Sequence, residues 1–393
     1  MRNNGANQST IKRSNRRLIF DVLNKEKVCS RTQLSEITHL TKASVTYIVS
    51  EMIESGVIRE GEVTGSGIGR KSIMLEISPQ SPRTLSLSIN RDALFISLVN
   101  LKGEILFEKR ILLTKTETEE SLLKKIFRGC DCAIRANDGW PLWGIGVASI
   151  GPVDRKNGRI ISPPNFSGIR SIQIVEPLKA RYGMNVALDN DMNAAAIGEK
   201  LFGFGSSYEN FIFVGVSRGI GGGIILNNEL YRGGDGLAGE IGHISIDYRG
   251  KLCQCGGKGC LEMYASIAAL EEEAEQMRAN YPNSLLASGD IQWSRIVEAA
   301  RKKDPFAEKM IASMIEYLSA GLVSVCNTYN PQIIFLGYEG ALASDLIIEP
   351  LKERINETVF SKDFSKINIQ TSFFKTDSYK VSGAAVLIDK HLG

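Results

Sequence analysis

Histidine and tryptophan are scarce in this chain, with three of each among 393 residues, and cysteine occurs seven times. The odd cysteine count and the absence of an apolar run near the N-terminus argue against a secreted, disulfide-built protein. No stretch approaches the roughly 18 consecutive apolar residues of a membrane-spanning helix. We therefore expect a cytoplasmic protein whose thiols stay reduced.

Acidic residues are missing from the first 20 positions, which carry the basic residues Arg2, Lys12, Arg13, Arg16 and Arg17. The net charge of the whole chain is only +3, so this excess of positive charge is local. A basic end on a near-neutral protein indicates an anionic partner for that end alone. The length, with 43% hydrophobic and 23% charged residues, predicts two or three soluble globular domains.

The segment from Arg13 to about residue 75 has the pattern of three helices and a hairpin. Apolar residues repeat at helical spacing in "RSNRRLIFDVLNKE" and in "TKASVTYIVSEMIESG". Between them, Ser30 followed by Gln33 is a signature of a helix N-terminus. Two short helices with a tight link are typical of a helix-turn-helix. Its second helix would direct four side chains towards bases and phosphates: Thr41, Lys42, Ser44 and Thr46.

The next residues, "VIREGEVTGSGIGRKSIMLEI", alternate like a hairpin with a glycine-rich tip. This pattern predicts a winged helix-turn-helix DNA-binding domain over residues 1–80, whose wing places Arg70 in a minor groove. The alternative is a small helical interaction domain with a solvated basic face. A Pro/Ser-rich linker around residues 78–84 precedes a change in composition.

The remainder of the chain has the pattern of a duplicated α/β protein. Residues 85–110 and 210–232 both read as strand meanders, each followed by alternating helices and strands. Ligands of such sheets bind at the carboxyl ends of strands, between two lobes. In "VALDNDMNAAAIGEKLFG" a buried strand is expected to end at Leu188. Asn190 and Asp191 would then lie at a strand end and a helix start.

Three cysteines lie in "CQCGGKGCLE", and a histidine precedes them in "GEIGHISID". One imidazole and three thiolates match the ligands of a tetrahedral structural zinc site: His243, Cys253, Cys255 and Cys260. A redox site would be expected to contain CxxC in a thioredoxin-like pattern, and neither is present. The alternative to a metal is a flexible loop with four unligated side chains. Four protein ligands leave no open catalytic position, so the predicted Zn²⁺ is structural.

The other cysteines and histidines have simpler interpretations. Cys130, Cys132 and Cys326 lie in apolar helical stretches and are expected to be core thiols. His391 is expected to be a tail residue, and His39 lies in the turn between two helices.

The segments "GLAGEIGHISID" and "CQCGGKGCLE" together resemble the signature of the ROK family, which groups bacterial sugar repressors, uncharacterised reading frames and sugar kinases. "PPNFSG", "DNDMNAAAIGE" and "RGIGGGIILNNELYRG" match further family blocks in the expected order. The resemblance covers residues 85–393, and the winged helix resembles that of the family's repressors. It implies an α/β, two-lobed, actin-like (ribonuclease H-like) ATPase fold in a sugar-binding domain over residues 81–393. The first lobe would comprise about residues 82–205 and 378–393, and the second about residues 206–377.

In the family a sugar is held by residues that match Asn165, Asn190, Asp191, Glu240, His243 and Glu262. Such a set suits a neutral polyol, because carboxylates form charge-assisted hydrogen bonds with hydroxyl groups. His243 would serve twice, as a metal ligand and as a group that orients the sugar, so the metal would hold Glu240 and Glu262 in register.

In the family's kinases the residue matching Asp191 is the general base that takes the proton of the attacking hydroxyl. Three glycine turns that such kinases need for ATP are altered in this chain. The substituting residues are Ser88, Asn90 and Arg91 in the first turn, Ser217 and Arg218 in the second, and Tyr338 in the third. A side chain at such a position blocks the close approach of a phosphate to the backbone.

The resemblance and these substitutions predict a sugar-responsive transcriptional repressor that is not an enzyme. Its partners would be operator DNA and a sugar effector, and it would act as a homodimer or a dimer of dimers, because operators are usually two-fold. One alternative is an ATP-dependent sugar kinase with an accessory DNA-binding domain. Another is an adaptor whose ROK domain binds a protein instead of a sugar.

Overall fold

The computed structural model describes residues 8–64, 72–161 and 169–392. The chain divides into two compact units. Unit 1 comprises Met1–Phe202 and Tyr379–Gly393, and unit 2 comprises Gly203–Ser378. Unit 1 therefore combines the N-terminal segment, the first half of the α/β region and the C-terminal helix.

A winged helix opens unit 1. Its helices and first strand are α1 (Gln8–Glu26), β1 (Cys29–Ser30), α2 (Arg31–Thr38) and α3 (Lys42–Glu54). Ser30 caps α2, because its hydroxyl accepts the Gln33 N–H while the Gln33 side chain accepts the Ser30 N–H, as the spacing predicts. The wing strands β2 (Ile58–Thr64) and β3 (Ser72–Ile77) pair antiparallel, and β1 pairs with β3. The three helices and hairpin predicted from the sequence are confirmed.

The first α/β lobe is built on a five-stranded sheet of order β11-β7-β4-β5-β6. Its strands are β4 (Arg83–Ile89), β5 (Ala93–Val99), β6 (Ile105–Leu112), β7 (Leu142–Ser149) and β11 (Val186–Asn190). A small sheet of β8 (Val153–Asp154), β9 (Arg159–Ile161) and β10 (Ser171–Gln173) lies beside it. The helices are α4 (Glu119–Ala136), α5 (Val175–Tyr182), α6 (Asp191–Phe202) and the C-terminal α12 (Tyr379–Leu392).

Unit 2 repeats this plan in a sheet of order β14-β13-β12-β15-β16. Its strands are β12 (Phe211–Val216), β13 (Ile220–Leu226), β14 (Glu229–Leu230), β15 (Ile333–Gly337) and β16 (Asn368–Thr371). Its helices are α7 (Glu262–Ala265), α8 (Ile267–Met277), α9 (Trp293–Arg301), α10 (Pro305–Tyr329) and α11 (Ser344–Thr358). In both sheets an antiparallel meander of three strands is extended by two parallel strands. The duplication predicted from the two meanders is confirmed.

One helix in the described ranges, α10, is long and apolar enough by length and composition to cross a membrane. It is not a continuous apolar run in the sequence, because Glu308, Lys309 and Glu316 interrupt it. Met310, Met314 and Leu318 of α10 are fully buried in the core of unit 2, which is what a core helix requires. The feature is weak support for a membrane span.

The C-terminal helix α12 packs closely on the sheet of unit 1. A Cβ atom on Gly146 of β7 would lie 1.8 Å from the carbonyl oxygen of Gly383, so both backbones need glycine here. The hydroxyl of Ser88 donates to the Tyr379 carbonyl at 2.5 Å, and that of Ser97 donates to the next carbonyl. These contacts fix the first turn of α12 on β4 and β5.

The first helix of the winged helix contacts the end of α12. The Arg17 guanidinium pairs with Asp21 of its own helix at 2.9 Å and with Asp389 of α12 at 2.7 Å. Burial disfavours the charge on Arg17, but the two carboxylates outweigh it and raise its pKa. The Asn24 side chain donates to the Leu201 carbonyl in the last turn of α6. The winged helix is thus joined to α6 and α12 by polar contacts.

One prediction about an individual side chain was wrong and another was incomplete. His391 lies in the tail of the chain, in the last turn of α12, but its ring also stacks on Trp143 with centroids 4.8 Å apart. Cys132 is half-buried instead of a core thiol, since it lies on the side of α4 where Lys109 approaches its sulfur to 3.2 Å. The hydrogen bond from Lys109 lowers the Cys132 pKa. Cys130 and Cys326 are buried, as predicted.

Candidate metal centre and binding sites

A cluster of one histidine and three cysteines is the group in the described residues whose geometry fits a metal ion. One ligand atom from each of His243, Cys253, Cys255 and Cys260 lies within 4.8 Å of all the others. The sulfur atoms of Cys255 and Cys260 are 3.6 Å apart, and that of Cys253 is 3.7 Å from His243 Nδ1. Zinc–sulfur bonds of about 2.3 Å in a tetrahedron require sulfur atoms roughly 3.8 Å apart. A disulfide needs about 2.05 Å, so this cluster has the dimensions of a metal site.

The loop that carries the cysteines is held by backbone hydrogen bonds. The Cys253 N–H donates to the Gly257 carbonyl at 2.8 Å, which closes a turn around the sulfur atoms. Gly259 pairs with the segment after His243, because its carbonyl accepts the Ile246 N–H at 2.9 Å. Its φ of +72° favours glycine, and a Cβ there would lie 1.7 Å from the Asp247 carbonyl oxygen. The glycines therefore serve the shape of the loop.

The thiols of the cluster have unequal acidities. Burial raises the pKa of Cys253 to about 12 and also raises that of Cys260. The pKa of Cys255 is lowered, because the Gly257 N–H donates to its sulfur. Metal ligation requires thiolates, and a bound divalent cation supplies the positive charge that favours them.

The glycine run of β13 positions Glu240 and His243. The Gly222 N–H donates to the Gly239 carbonyl at 2.8 Å, and a Cβ on Gly242 would lie 2.1 Å from the Ile220 carbonyl oxygen. This close packing holds the 3₁₀ turn Ile241–His243 against β13. In this chain the glycines therefore support the histidine segment.

Two carboxylates lie beside the cluster in unit 2. Glu262 Oε1 is 3.4 Å from Cys253 Sγ and 3.5 Å from His243 Nδ1. The pKa of Glu240 is raised, first because surrounding protein atoms displace water from its carboxylate and also because Glu262 is near. The residue retains an exposed surface, so the carboxylate is crowded yet reachable. Glu240 and Glu262 thus place two carboxylates beside His243 of the cysteine cluster.

Asn190 and Asp191 lie in unit 1, at the junction of β11 and α6. The strand ends at Asn190 and the helix begins at Asp191, so the predicted end at Leu188 was two residues early. The Asn190 side-chain oxygen accepts the Met192 N–H at 2.8 Å and its amide donates to the Gly151 carbonyl at 3.2 Å. Asp191 is only 8% exposed. Asn165 lies outside the described residues.

The altered glycine turns have their own contacts in the fold. The Ser88 hydroxyl donates to the Tyr379 carbonyl of α12, and Arg218 pairs with Glu271 at 3.6 Å. Tyr338 keeps a φ of +59°, a conformation that favours glycine, and it is 4% exposed. Its ring packs edge-on against Phe213. Tyr338 therefore keeps a backbone conformation typical of glycine, and its side chain fills the space beside it.

The predicted DNA-contacting residues of α3 lie at its N-terminal end. Thr41 is the N-cap, and its hydroxyl accepts the Ser44 N–H at 3.2 Å and contacts the Ser44 hydroxyl at 2.9 Å. The Thr46 hydroxyl donates to the Lys42 carbonyl at 2.8 Å. These hydroxyl groups stabilise the helix end, and the Lys42 side chain is exposed. Arg70 lies outside the described residues.

The N-terminal winged helix and the rest of the chain each match a known protein family. The fold is an N-terminal winged helix joined to an actin-like ATPase-type domain. Residues 12–59 match the model of winged helix-turn-helix DNA-binding domains, and residues 84–391 match that of the ROK family. The chain belongs to the ROK family, as its motifs predict.

Curated relatives match over nearly the full length. The chain is 28% identical to the xylose repressor of Caldicellulosiruptor bescii, over 98% of each chain. It is 29% identical to the DNA-binding transcriptional dual regulator NagC of Escherichia coli, over 98% of this chain and 94% of that one. These relatives are transcriptional regulators that share the whole two-part organisation.

Solved structures agree with this grouping. A ROK family transcriptional regulator, a homolog of the Escherichia coli MLC protein, superimposes with a TM-score of 0.82 at 26% identity, covering 97% of this chain and 96% of that one. A ROK family glucokinase from Streptomyces griseus, in complex with glucose and AMPPNP, gives a TM-score of 0.69 at 28% identity. The kinase match covers 98% of that chain but only 78% of this one. The regulator accounts for the winged helix as well.

Proposed function

We propose that this protein is a transcriptional repressor that binds operator DNA through its winged helix and loses affinity for it when a sugar binds its ROK domain. The observation that carries the proposal is the union of both parts in one chain, over the same length as relatives named xylose repressor and NagC. DNA contacts are assigned to Thr41, Lys42, Ser44, Thr46 and Arg70. The site of action is the cytoplasm, and the working form is a homodimer or a dimer of dimers.

The effector is assigned to the sugar class by the carboxylates and amides of the ROK motifs. We propose that the hydroxyl groups of the sugar are bound by Asn165, Asn190, Asp191, Glu240, His243 and Glu262. The raised pKa of Glu240 supports a role in binding, because a crowded carboxylate gains from hydroxyl donors that replace lost water. Xylose, glucose and N-acetylglucosamine are the effectors to test first.

A structural zinc ion is proposed for His243, Cys253, Cys255 and Cys260. The mixed nitrogen and sulfur donor set and the sulfur separations support this metal. Bound there, the ion would supply charge that keeps the thiolates deprotonated and would cross-link the histidine segment to the cysteine loop. His243 and Glu262 flank it and would orient the sugar, so loss of the metal would also weaken sugar binding.

The alternative of a sugar kinase is favoured by one observation, the buried carboxylate of Asp191 at the start of α6. Against it, Ser88 bonds the backbone of α12 and Tyr338 fills the third turn, where phosphate and adenosine would need glycine. In a repressor, Asp191 binds the sugar and transfers no proton.

The test is an operator-binding titration with the full-length protein. A specific duplex is first enriched from a random-sequence pool, and its affinity is measured with and without each saturating sugar. One sugar is expected to weaken binding roughly 5- to 150-fold, the usual range of allosteric coupling, and DNA must weaken the affinity for that sugar by the same factor. If no sugar in the panel changes the operator affinity, the proposal fails. Sugar-dependent ATP consumption would favour the kinase.

A further inference from the structure

The outermost surface of α3 consists of residues other than those predicted to contact DNA. The buried face of this helix is formed by Val45, Ile48, Val49 and Met52. At 3.6 residues per turn, the positions opposite that face are Ala43 and Tyr47, one turn apart, with Ser50 beside them and Glu54 at the C-terminal end of the helix. All four are exposed, and Tyr47 is 58% exposed although it is a large aromatic residue.

The hydroxyl groups predicted to read bases are occupied within the helix. Thr41 caps the helix, and the hydroxyl of Thr46 donates to a backbone carbonyl one turn earlier. Ser50 is bonded in the same way, since its hydroxyl donates to the Thr46 carbonyl at 2.9 Å. In the N-terminal half of α3, the outermost groups that are left to contact bases are the Ala43 methyl group and the Tyr47 ring.

The Tyr47 side chain is fixed by α1. Lys12 Nζ donates to the Tyr47 hydroxyl at 3.3 Å and to Glu51 Oε1 at 2.5 Å, and it lies 5.0 Å from the centre of the tyrosine ring. The hydrogen bond that Glu51 receives from Lys12 lowers the pKa of its carboxyl group, so an ion pair holds the Lys12 ammonium beside the phenol. The hydroxyl is thus held near α1 while 58% of the residue stays exposed, a fraction too large to be the hydroxyl group alone, so ring carbons contribute to the exposed surface.

We infer that Tyr47, together with Ala43, reads the 5-methyl group of a thymine in the major groove, and that Lys12 is a positioning residue for the ring. This rests on the proposed operator binding and names the chemistry of its specificity. A helix that enters the major groove presents its outermost face to the base edges. Thymine is the base that offers a methyl group there, and apolar side chains such as alanine and phenylalanine recognise it. An exposed ring with an engaged hydroxyl has the same chemistry.

The experiment replaces thymines by uracil, which removes only the 5-methyl group. The operator duplex enriched from a random-sequence pool by the full-length protein is synthesised with one uracil at each thymine position in turn. For the wild type, uracil at the contacted position is expected to weaken binding about fourfold, the value of one buried methyl group. For Tyr47→Ala this position is expected to become insensitive, because the ring that touched the methyl group is gone.

Two variants separate this role from a structural one. Tyr47→Phe keeps the ring and is expected to retain the uracil effect, even if losing the bond to Lys12 weakens binding overall. Tyr231→Ala removes a tyrosine that is 45% exposed in unit 2, and is expected to match the wild type at every position. The salt dependence of binding is expected to be the same for Tyr47→Ala and the wild type, since no phosphate contact is lost.

The outcomes are distinct. If the wild type enriches no sequence from the pool, the proposed operator binding is wrong, and the inference falls with it. If a sequence is enriched but Tyr47→Ala shows the same uracil profile as the wild type, the proposed function stands and only the assignment of Tyr47 is overturned. A shallower salt dependence in Tyr47→Ala, with an unchanged uracil profile, would show that Tyr47 acts by holding the Lys12 charge at a phosphate, and would overturn the assignment as well.

Discussion

Two glycines of the cysteine loop allow a matched test of the candidate metal centre. Gly256 and Gly259 both have positive φ, +90° and +72°, so an alanine at either position is strained by about 1–2 kcal/mol. They differ in their surroundings, because a Cβ on Gly256 meets nothing within 4 Å whereas one on Gly259 lies 1.7 Å from the Asp247 carbonyl oxygen. Gly259→Ala must therefore displace backbone in addition to the strain.

The extra cost follows from the hydrogen bonds at Gly259. Its carbonyl accepts the Ile246 N–H at 2.9 Å, and its N–H donates to the Lys251 carbonyl at 2.8 Å. Losing both costs about 2 kcal/mol, at about 1 kcal/mol for each bond. Gly259→Ala is therefore expected to bind zinc about 30-fold more weakly than Gly256→Ala, since 1.4 kcal/mol is about a factor of ten.

The measurement is competition for zinc with a chelator of known affinity, on purified full-length variants. Gly139→Ala in unit 1 is the control, since Gly139 also has a positive φ, +71°, and open space around it. It is expected to keep the zinc affinity of the wild type. Equal zinc affinities for Gly256→Ala and Gly259→Ala would refute the role given to the Gly259 backbone.

Three further predictions concern other side chains. Cys255→Ser is expected to lower zinc content and sugar affinity together, as measured by metal analysis and calorimetry. Cys132→Ser changes a thiol outside the cluster and is expected to alter neither. Normal sugar affinity in zinc-free protein would contradict the link between the metal and sugar binding. Asp191→Asn is expected to bind operator like the wild type but to need a higher sugar concentration for release from it. A purely regulatory role would be contradicted if the wild type consumed ATP in the presence of sugar and Asp191→Asn did not. Burial lowers the pKa of His391, and Arg16, Lys390 and Arg13 lower it further, so the unfolded chain takes up the proton first and stability falls as pH drops below about 6.5. Thermal melts of His391→Phe are expected to show a smaller loss of stability than the wild type between about pH 7 and 5. Parallel profiles of stability against pH for the two proteins would contradict this.

The sequence predicted the parts of the molecule in which short-range pattern decides structure. Ser30 and Gln33 identify a helix start because a capping box involves residues only three positions apart. The spacing of Cys253, Cys255 and Cys260 predicted their convergence, because a glycine-rich loop of this length keeps the sulfur atoms close. Asn190 and Asp191 could be placed because a strand and a helix meet there.

The contacts that the sequence does not predict join distant parts of the chain. Cys132 is approached by Lys109 from a neighbouring strand, and the helical pattern of α4 alone does not show which strand it faces. His391 stacks on Trp143, almost 250 positions earlier, which no local pattern indicates. No sequence pattern singles out Tyr47, because the small hydroxyl residues near it have the chemistry of base readers, and their bonds to the backbone appear only in three dimensions.

The position of α12 has a consequence for the synthesis of the protein. This helix completes the sheet packing of unit 1 and receives the Arg17 ion pair, yet it follows all of unit 2 in the sequence. On the ribosome the winged helix and the first five-stranded sheet emerge early, but they can dock on α12 only after unit 2 has been made. Gly203–Ser378 is a continuous segment that can fold as soon as it is released. The later unit in the sequence would thus be the first to finish folding. A growing chain would dock α1 of the winged helix on α12 only after α12 has emerged, so products that stop before α12 would lack the Arg17–Asp389 ion pair.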